Sequence, residues 1–263
     1  MISDEIVLLD ADRFGLLSGP VQGHEGSVCL LLFNAGFIHR SGPFRLHTRL
    51  ARRLAEIGVA SFRFDAPGLG DAIARSDQPL PETIRASMDI LQSRHGYSRF
   101  VVGGLCSAAD LAWQIALADS RVVGLLSIDG LARMGWWYRF ARLRRALAKP
   151  PGFWLRKLSS RARARPATSV SAESLREWPS PGSEHQHMAT LVARDVRLFF
   201  LYTGGAGYFL HPRQFGETWG KASQAESVEL EHWPQCDHTF FAESDRRRLI
   251  ERIADWMQRR FAQ

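Results

Sequence analysis

The sequence of 263 residues has no apolar run of membrane-spanning length, no internal repeat and no low-complexity tract. Its opening, Met1-Ile2-Ser3-Asp4-Glu5, is acidic and lacks the basic region and long apolar segment of a secretory signal. These absences point to a cytoplasmic protein with no membrane span. Cysteine is scarce as well. Cys29, Cys106 and Cys236 make an odd set of three, which excludes a fully paired disulfide framework, and a reducing compartment would keep all of them as thiols. At least one thiol is therefore free to react, and neither a metal nor an organic cofactor is expected.

What is present suits one globular core. Apolar residues make up 45% and charged residues 23%, ordinary usage for a folded chain of a length that single α/β domains reach without splitting. Lys and Arg number 34 against 27 Asp and Glu, a formal net charge of +7. The excess clusters in Arg133, Arg139, Arg142, Arg144, Arg145, Lys149, Arg156, Lys157, Arg161, Arg163 and Arg165, so the field there attracts an anionic partner.

Strand-like apolar runs alternate with amphipathic helix-length ones at 27–33, 45–57, 59–64, 81–95, 100–104, 107–118 and 122–128. Alternation of this kind predicts an α/β fold with a mostly parallel sheet flanked by crossover helices. Continuous runs such as Val28-Cys29-Leu30-Leu31-Leu32-Phe33 suit strands buried on both faces. The pattern breaks at residues 131–190, which hold Arg-rich helical stretches and Pro/Gly punctuation but no strand, and which read as an inserted helical lid. The core, residues 1–130 and 191–263, resumes with a strand at 196–203, a helix within 211–221, a strand at 227–232 and a closing helix at 244–260.

After the strand at 100–103 come Gly104-Leu105-Cys106-Ser107-Ala108 and then a helix, the strand, sharp turn and helix of a nucleophile elbow. The nucleophile's backbone is strained in such a turn, so the residues two before and two after it must be small. Gly104 and Ala108 satisfy that for Cys106. Were Ser107 the nucleophile, Leu105 would stand at a position that needs a small residue. A sulfur at a helix N-terminus also gains from the helix dipole, which favours the thiolate. The bland alternative for Cys106 is a small buried hydrophobe.

A triad on this scaffold runs nucleophile, acid, histidine along the chain, with the histidine in the loop after the last strand. His238 alone matches that position. The loop where the acid commonly lies reads Gly204-Gly205-Ala206-Gly207-Tyr208-Phe209 and has no carboxylate. The preceding core strand ends Ser127-Ile128-Asp129-Gly130, which assigns the acid to Asp129; a turn aspartate bonded to nearby backbone is the alternative. An oxyanion hole needs the Ser107 amide and a second amide, from Ala35 or Gly36, with Gly36 permitting close approach of substrate. Phe37 and His39 in the same loop, and Trp136 and Trp137 in the lid, are the candidate substrate contacts. For His39 and Arg40 a structural role is equally open, and Asp65 and Asp71 read as scaffold.

Asn34-Ala35-Gly36 through Arg40, Arg63-Phe64-Asp65 with Gly68, Gly70 and Asp71, the elbow, and Cys236-Asp237-His238-Thr239-Phe240 resemble the serine-aminopeptidase-like branch of the α/β-hydrolases. The pattern is closest to a subgroup with a Gly-Leu-Cys-Ser-Gly-Ala elbow, some of it associated with exosortase clusters; this sequence departs from it at Ala108 and near Ala206. A cysteine elbow with the acid moved to the earlier strand is similar to the thioesterase-like Dieckmann cyclases, which release a carrier-protein thioester by ring closure. The resemblance implies that chemistry as an option here.

The residues and the resemblance together give acyl transfer through Cys106. The basic lid would dock an acidic acyl carrier protein, and Trp136, Trp137, Tyr138, Phe140 and Trp154 would line an acyl channel or simply pack the lid. A general esterase, a non-catalytic binding module and a nucleic-acid binder are the competing readings; the regularly placed Leu and Trp among the lid arginines argue against the last.

Overall fold

In a computed structural model, residues 4–24, 26–72, 78–150 and 180–261 are described. Eight strands form one sheet: β1 (Asp4–Leu8), β2 (Phe14–Ser18), β3 (Val28–Leu32), β4 (Ala60–Phe64), β5 (Arg99–Leu105), β6 (Val122–Ile128), β7 (Arg197–Thr203) and β8 (Val228–Trp233). Their spatial order is β1-β2-β4-β3-β5-β6-β7-β8. Everything from β4 to β8 pairs parallel, whereas β1 with β2 and β2 with β4 pair antiparallel. The helices are α1 (Leu46–Glu56), α2 (Leu80–His95), α3 (Ser107–Ala118), α4 (Trp136–Leu147), α5 (Ser183–Ala193), α6 (Gln214–Trp219) and α7 (Glu243–Phe261).

The parallel core follows the apolar runs closely, and burial explains why. β3 and β4 are buried at every position, as strands covered on both faces must be. Along β7, Leu198, Phe200 and Tyr202 join the core under α3 and α6, while Phe199 and Leu201 join the core under α1 and α7. This is the two-residue period of a pleated strand feeding two apolar layers. Aromatic packing closes each layer: Trp113 lies 4.3 Å from Trp219 on one side, and Phe199 5.6 Å from Trp256 on the other.

Two features differ from the pattern in the sequence. The hairpin β1–β2 was not foreshadowed, because β1 is an edge strand whose Ile6 and Leu8 are 63% and 60% exposed beside buried Val7, so apolar residues stand on both faces and no polar–apolar alternation marks it. The expected lid boundary near residue 190 falls inside α5, whose Met188 and Leu191 are fully buried in the core. α4 does form within the Arg-rich segment, burying only Ala141. Residues 151–179, and with them Trp154, Arg156, Lys157, Arg161, Arg163 and Arg165, lie outside the described residues. Among the described residues no helix is long and apolar enough to cross a membrane.

Candidate active site at the elbow after β5

Because β3 and β5 to β8 run parallel, the loops leaving their C-terminal ends share one edge of the sheet. The elbow, Asp129 and His238 all leave that edge. Cys106 caps α3 with φ 59° and ψ −120°, a backbone conformation L-residues rarely adopt. The turn closes only because its flanks are small: a β-carbon on Gly104 would stand 2.5 Å from the Ala108 β-carbon. Cys106 donates its amide to Ile128 O at 2.8 Å, which ties the elbow to the end of β6.

Asp129, one residue beyond β6, is fully buried and also has positive φ, 49°. Its Oδ1 accepts the Thr203 amide at 2.6 Å, and its Oδ2 accepts the Thr203 hydroxyl at 2.7 Å. The same Oδ2 lies 2.7 Å from His238 Nδ1. Tyr208 donates its hydroxyl to the Asp129 carbonyl, and the Asp129 amide donates to Leu201 O at 2.8 Å. A buried carboxylate with this many donors is compensated rather than stranded.

His238 is hydrogen-bonded to both Asp129 and Cys106, and these bonds, Asp129's first, raise its pKa to about 9 against the opposing effect of burial. The imidazolium is thus the favoured form at neutral pH. Asp237 beside it takes no part in the relay: its carboxylate accepts the amides of Thr239 and Phe241, both at 2.8 Å, and so fixes the loop that carries the histidine. The other thiols are differently placed. Burial pushes Cys236 up to about 12, with Asp245 adding to it, and full burial also raises Cys29. Cys106 is the half-exposed one.

The acid-free loop after β7 has a steric counterpart. A β-carbon on Gly205 would fall 2.3 Å from the His238 amide nitrogen, so this loop packs its backbone directly on the histidine loop. Ala206, near the usual place of the acid, is buried.

On the other side of the elbow, the Gly36 amide donates to the Ser107 hydroxyl at 3.0 Å. The loop is held from below. Asn34 Nδ2 donates to Asp65 Oδ1 at 2.8 Å and to Ile38 O at 2.9 Å, and Asn34 Oδ1 accepts the Ala66 amide at 2.8 Å. Arg40 is buried, donates to Asp65, pairs with Asp71 at 2.7 Å and lies 4.6 Å over the Phe14 ring. It is therefore a structural residue of the loop. His39 stands 3.4 Å from both carboxylates, and His39, Asp65 and Asp71 could in outline hold a cation. The Arg40 guanidinium already takes both carboxylates, which leaves such an ion little reason to bind.

Beside the elbow opens a cavity of about 580 Å³, lined by Gly36, Ser107, Leu80, Ile84, Leu111 and Gln114 among others. A second chamber of about 200 Å³ shares Asp110 and Gln114 with it. The expected substrate contacts stand elsewhere. Phe37 is 89% and Trp136 68% exposed. Trp137 stacks 4.9 Å from the His211 ring under Arg213, and Phe140 packs edge-on against Trp137. The lining comes from α2, α3 and the segments that leave β3 and β4, whereas α4 turns one alanine, not its aromatics, into the protein. Thr203, Tyr208 and the α2 residues went unnoticed in the sequence; only the Thr at a strand end facing the Asp129 strand offered a signal, and it is a weak one.

Neither a family model nor a curated protein matches the chain by sequence. Solved structures match it along nearly its whole length. An esterase domain from Rhodothermus marinus is 14% identical with a TM-score of 0.58, covering 98% of this chain and 99% of that one. Dienelactone hydrolase from Anabaena variabilis is 12% identical, TM-score 0.57, covering 98% of each. An alpha-beta serine hydrolase homologue from Coxiella burnetii is 11% identical, TM-score 0.57, covering 97% of each. At these identities the likeness is one of architecture, and with the strand order and the elbow already described it leads to one statement: the chain has the α/β-hydrolase fold.

Proposed function

We propose that the protein is an acyl-transfer enzyme that uses Cys106 as nucleophile, His238 as acid and base, and Asp129 as the group that orients and charges the histidine. The observation that carries this reading is the chain of hydrogen bonds from Asp129 through His238 to Cys106, built on an elbow turn. The Cys106 sulfur attacks the carbonyl carbon of an acyl donor, a C–S bond forms, and the carbonyl π pair moves to oxygen. The amides of Ser107 and of Gly36 or Ala35 receive that oxyanion. Collapse expels the leaving group with the proton held by His238. His238 then takes a proton from water, which attacks the acyl-enzyme and frees the acid and the thiolate.

A thioester suits this nucleophile, since exchange of thiol for thiol is nearly isoenergetic, and the apolar cavity suits an acyl chain. In the finer form of the proposal the donor is an acyl carrier protein, drawn to the basic segment that begins at Arg133 and acts as a lid. The acyl-enzyme is then released by water or by an internal carbon nucleophile in a Dieckmann-type ring closure. The esterases and hydrolases among the fold neighbours support a second reading, a general esterase working through the same residues.

Intact-mass measurement after mixing with a butyryl thioester tests the assignment: wild type should gain one butyryl group, and Cys106→Ala none. Turnover by Cys106→Ala at the wild-type rate would remove the nucleophile. Comparison of carrier-bound and free thioesters with p-nitrophenyl butyrate separates the carrier-dependent enzyme from the general esterase.

A further inference from the structure

Ser107 is the residue after the elbow cysteine, and its hydroxyl oxygen sits 3.0 Å from the Gly36 amide nitrogen as acceptor. In the acyl-transfer reading, which this inference rests on, that amide is one of the groups reserved for the substrate oxygen. A side-chain oxygen therefore makes, in the resting protein, the hydrogen bond that the oxyanion would make during reaction. Gly36 and Ser107 both face the cavity beside the elbow, so the place of this contact is open to a substrate.

The imidazole shares its hydrogen bonds with Asp129 and Cys106, and the Ser107 hydroxyl accepts from the amide across the loop. That arrangement gives the hydroxyl a task other than attack. A hydroxyl has one donor and two acceptor positions and turns about its Cβ–O bond at little cost. Gly36 is exposed, so water could also serve this amide; the hydroxyl stands in that place while the site is empty and leaves no water for a substrate oxygen to displace there. When the substrate oxygen takes that amide, the hydroxyl loses its role as acceptor beside an oxygen that is gaining negative charge. Its remaining hydrogen is then best used on that oxygen.

We infer that the Ser107 hydroxyl is a third oxyanion donor, which stands in for the substrate oxygen in the resting enzyme and donates to it as the tetrahedral intermediate forms. The Ser107 side chain would thus be a catalytic group beyond its backbone amide. Because the hydroxyl gains its donor role only once charge develops, it acts on kcat more than on KM. Loss of a preorganised oxyanion donor costs about 10²- to 10³-fold in kcat; a hydroxyl that must rotate should be worth less, roughly 10- to 100-fold.

The test uses the full chain, with butyryl thioester and p-nitrophenyl butyrate as probes and butyraldehyde as reversible inhibitor. The aldehyde accepts the Cys106 thiolate at its carbonyl carbon, and its oxygen takes a proton from His238, giving a neutral hemithioacetal in the position of the tetrahedral intermediate. Ser107→Ala should lower kcat by roughly 10- to 100-fold without raising KM, and raise the butyraldehyde inhibition constant by a smaller factor, roughly 3- to 10-fold, because the adduct oxygen is neutral. Ser107→Thr, which keeps the hydroxyl, should recover most of both, and thermal melting of the two variants should match wild type. A Ser107→Ala enzyme within twofold of wild type in kcat and in inhibition overturns the inference, as does a loss that Thr does not rescue. Cys106→Ala in the same assays reads the underlying mechanism separately: if it is inactive while Ser107→Ala is unaffected, only the hydroxyl's role falls. If Cys106→Ala turns over and Ser107→Ala is dead, the serine is the nucleophile and both fall.

Discussion

Replacing Asp129 by Asn separates orientation from packing within the proposed site. The side chain is fully buried, and its partners include the Thr203 amide on Oδ1, and the Thr203 hydroxyl and His238 Nδ1 on Oδ2. Asparagine keeps the shape. Its oxygen can stay on the Thr203 amide, which has no alternative but to donate, so its NH₂ must take the place of Oδ2. The Thr203 hydroxyl can rotate and accept from it. His238 can accept only by presenting a bare Nδ1, which moves the ring proton to Nε2, the nitrogen facing Cys106. The histidine then has the wrong tautomer to receive the thiol proton. It also loses the partner that contributes most to its pKa of about 9. The fold should lose only about 1 kcal/mol, since every buried group keeps a partner. Replacement of the orienting acid in Ser-His-Asp enzymes costs about 10⁴ in kcat, about 5 kcal/mol of barrier, and a loss of 10³- to 10⁴-fold is expected here. Thioester turnover followed by thiol release, measured from pH 5 to 10, provides the assay. The alkaline limb should move from near 9 in wild type to below 7 in whatever activity survives. Turnover within threefold of wild type, or an unmoved alkaline limb, would refute the reasoning.

Three further outcomes are expected. Gly205→Ala places a β-carbon 2.3 Å from the His238 amide nitrogen and should displace the histidine loop; steady-state kinetics should show kcat reduced by roughly 100-fold, as a misplacement of about 1 Å can cost. Arg40→Ala leaves the buried Asp65 carboxylate without its main counter-charge, so a loss of about 3 kcal/mol is expected, seen by thermal melting as roughly 6–10 °C. The His238 pKa is raised above its unfolded value near 6.5, so its contribution to stability is complete below that pH and is lost as pH climbs towards 9. Melting temperatures of wild type should therefore decline over that interval, and Asp129→Asn should show little of this decline.

The sequence disclosed those parts of the molecule whose constraints are local. The parallel strands read clearly because continuous runs such as Val28 to Leu32 are buried on both faces, and α3 and β6 fall on the expected residues because a sharp turn and a strand-ending Asp129 punctuate them. The elbow was legible for the same reason: Gly104 and Ala108 are required by contacts within five residues. The proposed acid was suggested by the loop from Gly204 to Phe209, which has no carboxylate to offer, together with the strand end at Asp129. What stayed hidden depends on contacts between distant segments. Leu80 and Ile84 meet Ser107 across the cavity only because α2 packs beside α3, and no periodicity in either helix announces that meeting. The exposure of Trp136 and Phe140 was equally unreadable, since bulky aromatics suggest burial, yet these two are 68% and 42% exposed. The β1–β2 hairpin escaped notice because its outer strand keeps Ile6 and Leu8 in solvent while Val7 between them is buried, so three consecutive apolar residues show no alternation.

The anchoring of Cys106 and Asp129 governs how this site can vary. Both are tethered through main-chain amides to neighbouring strands, Cys106 to Ile128 and Asp129 to Leu201. Their separation is consequently a property of sheet register, as stiff as the strand spacing itself. His238 alone rides on a loop, held by the Asp237 staples and by the glycine backbone pressed against it. The site is thus a mechanism with two fixed pivots and one adjustable arm. Changes that move the proposed catalytic groups relative to one another without disturbing the sheet act through the setting of that arm, around Gly205 and between Trp233 and Phe241, where a small rotation alters the histidine's reach to both partners at once.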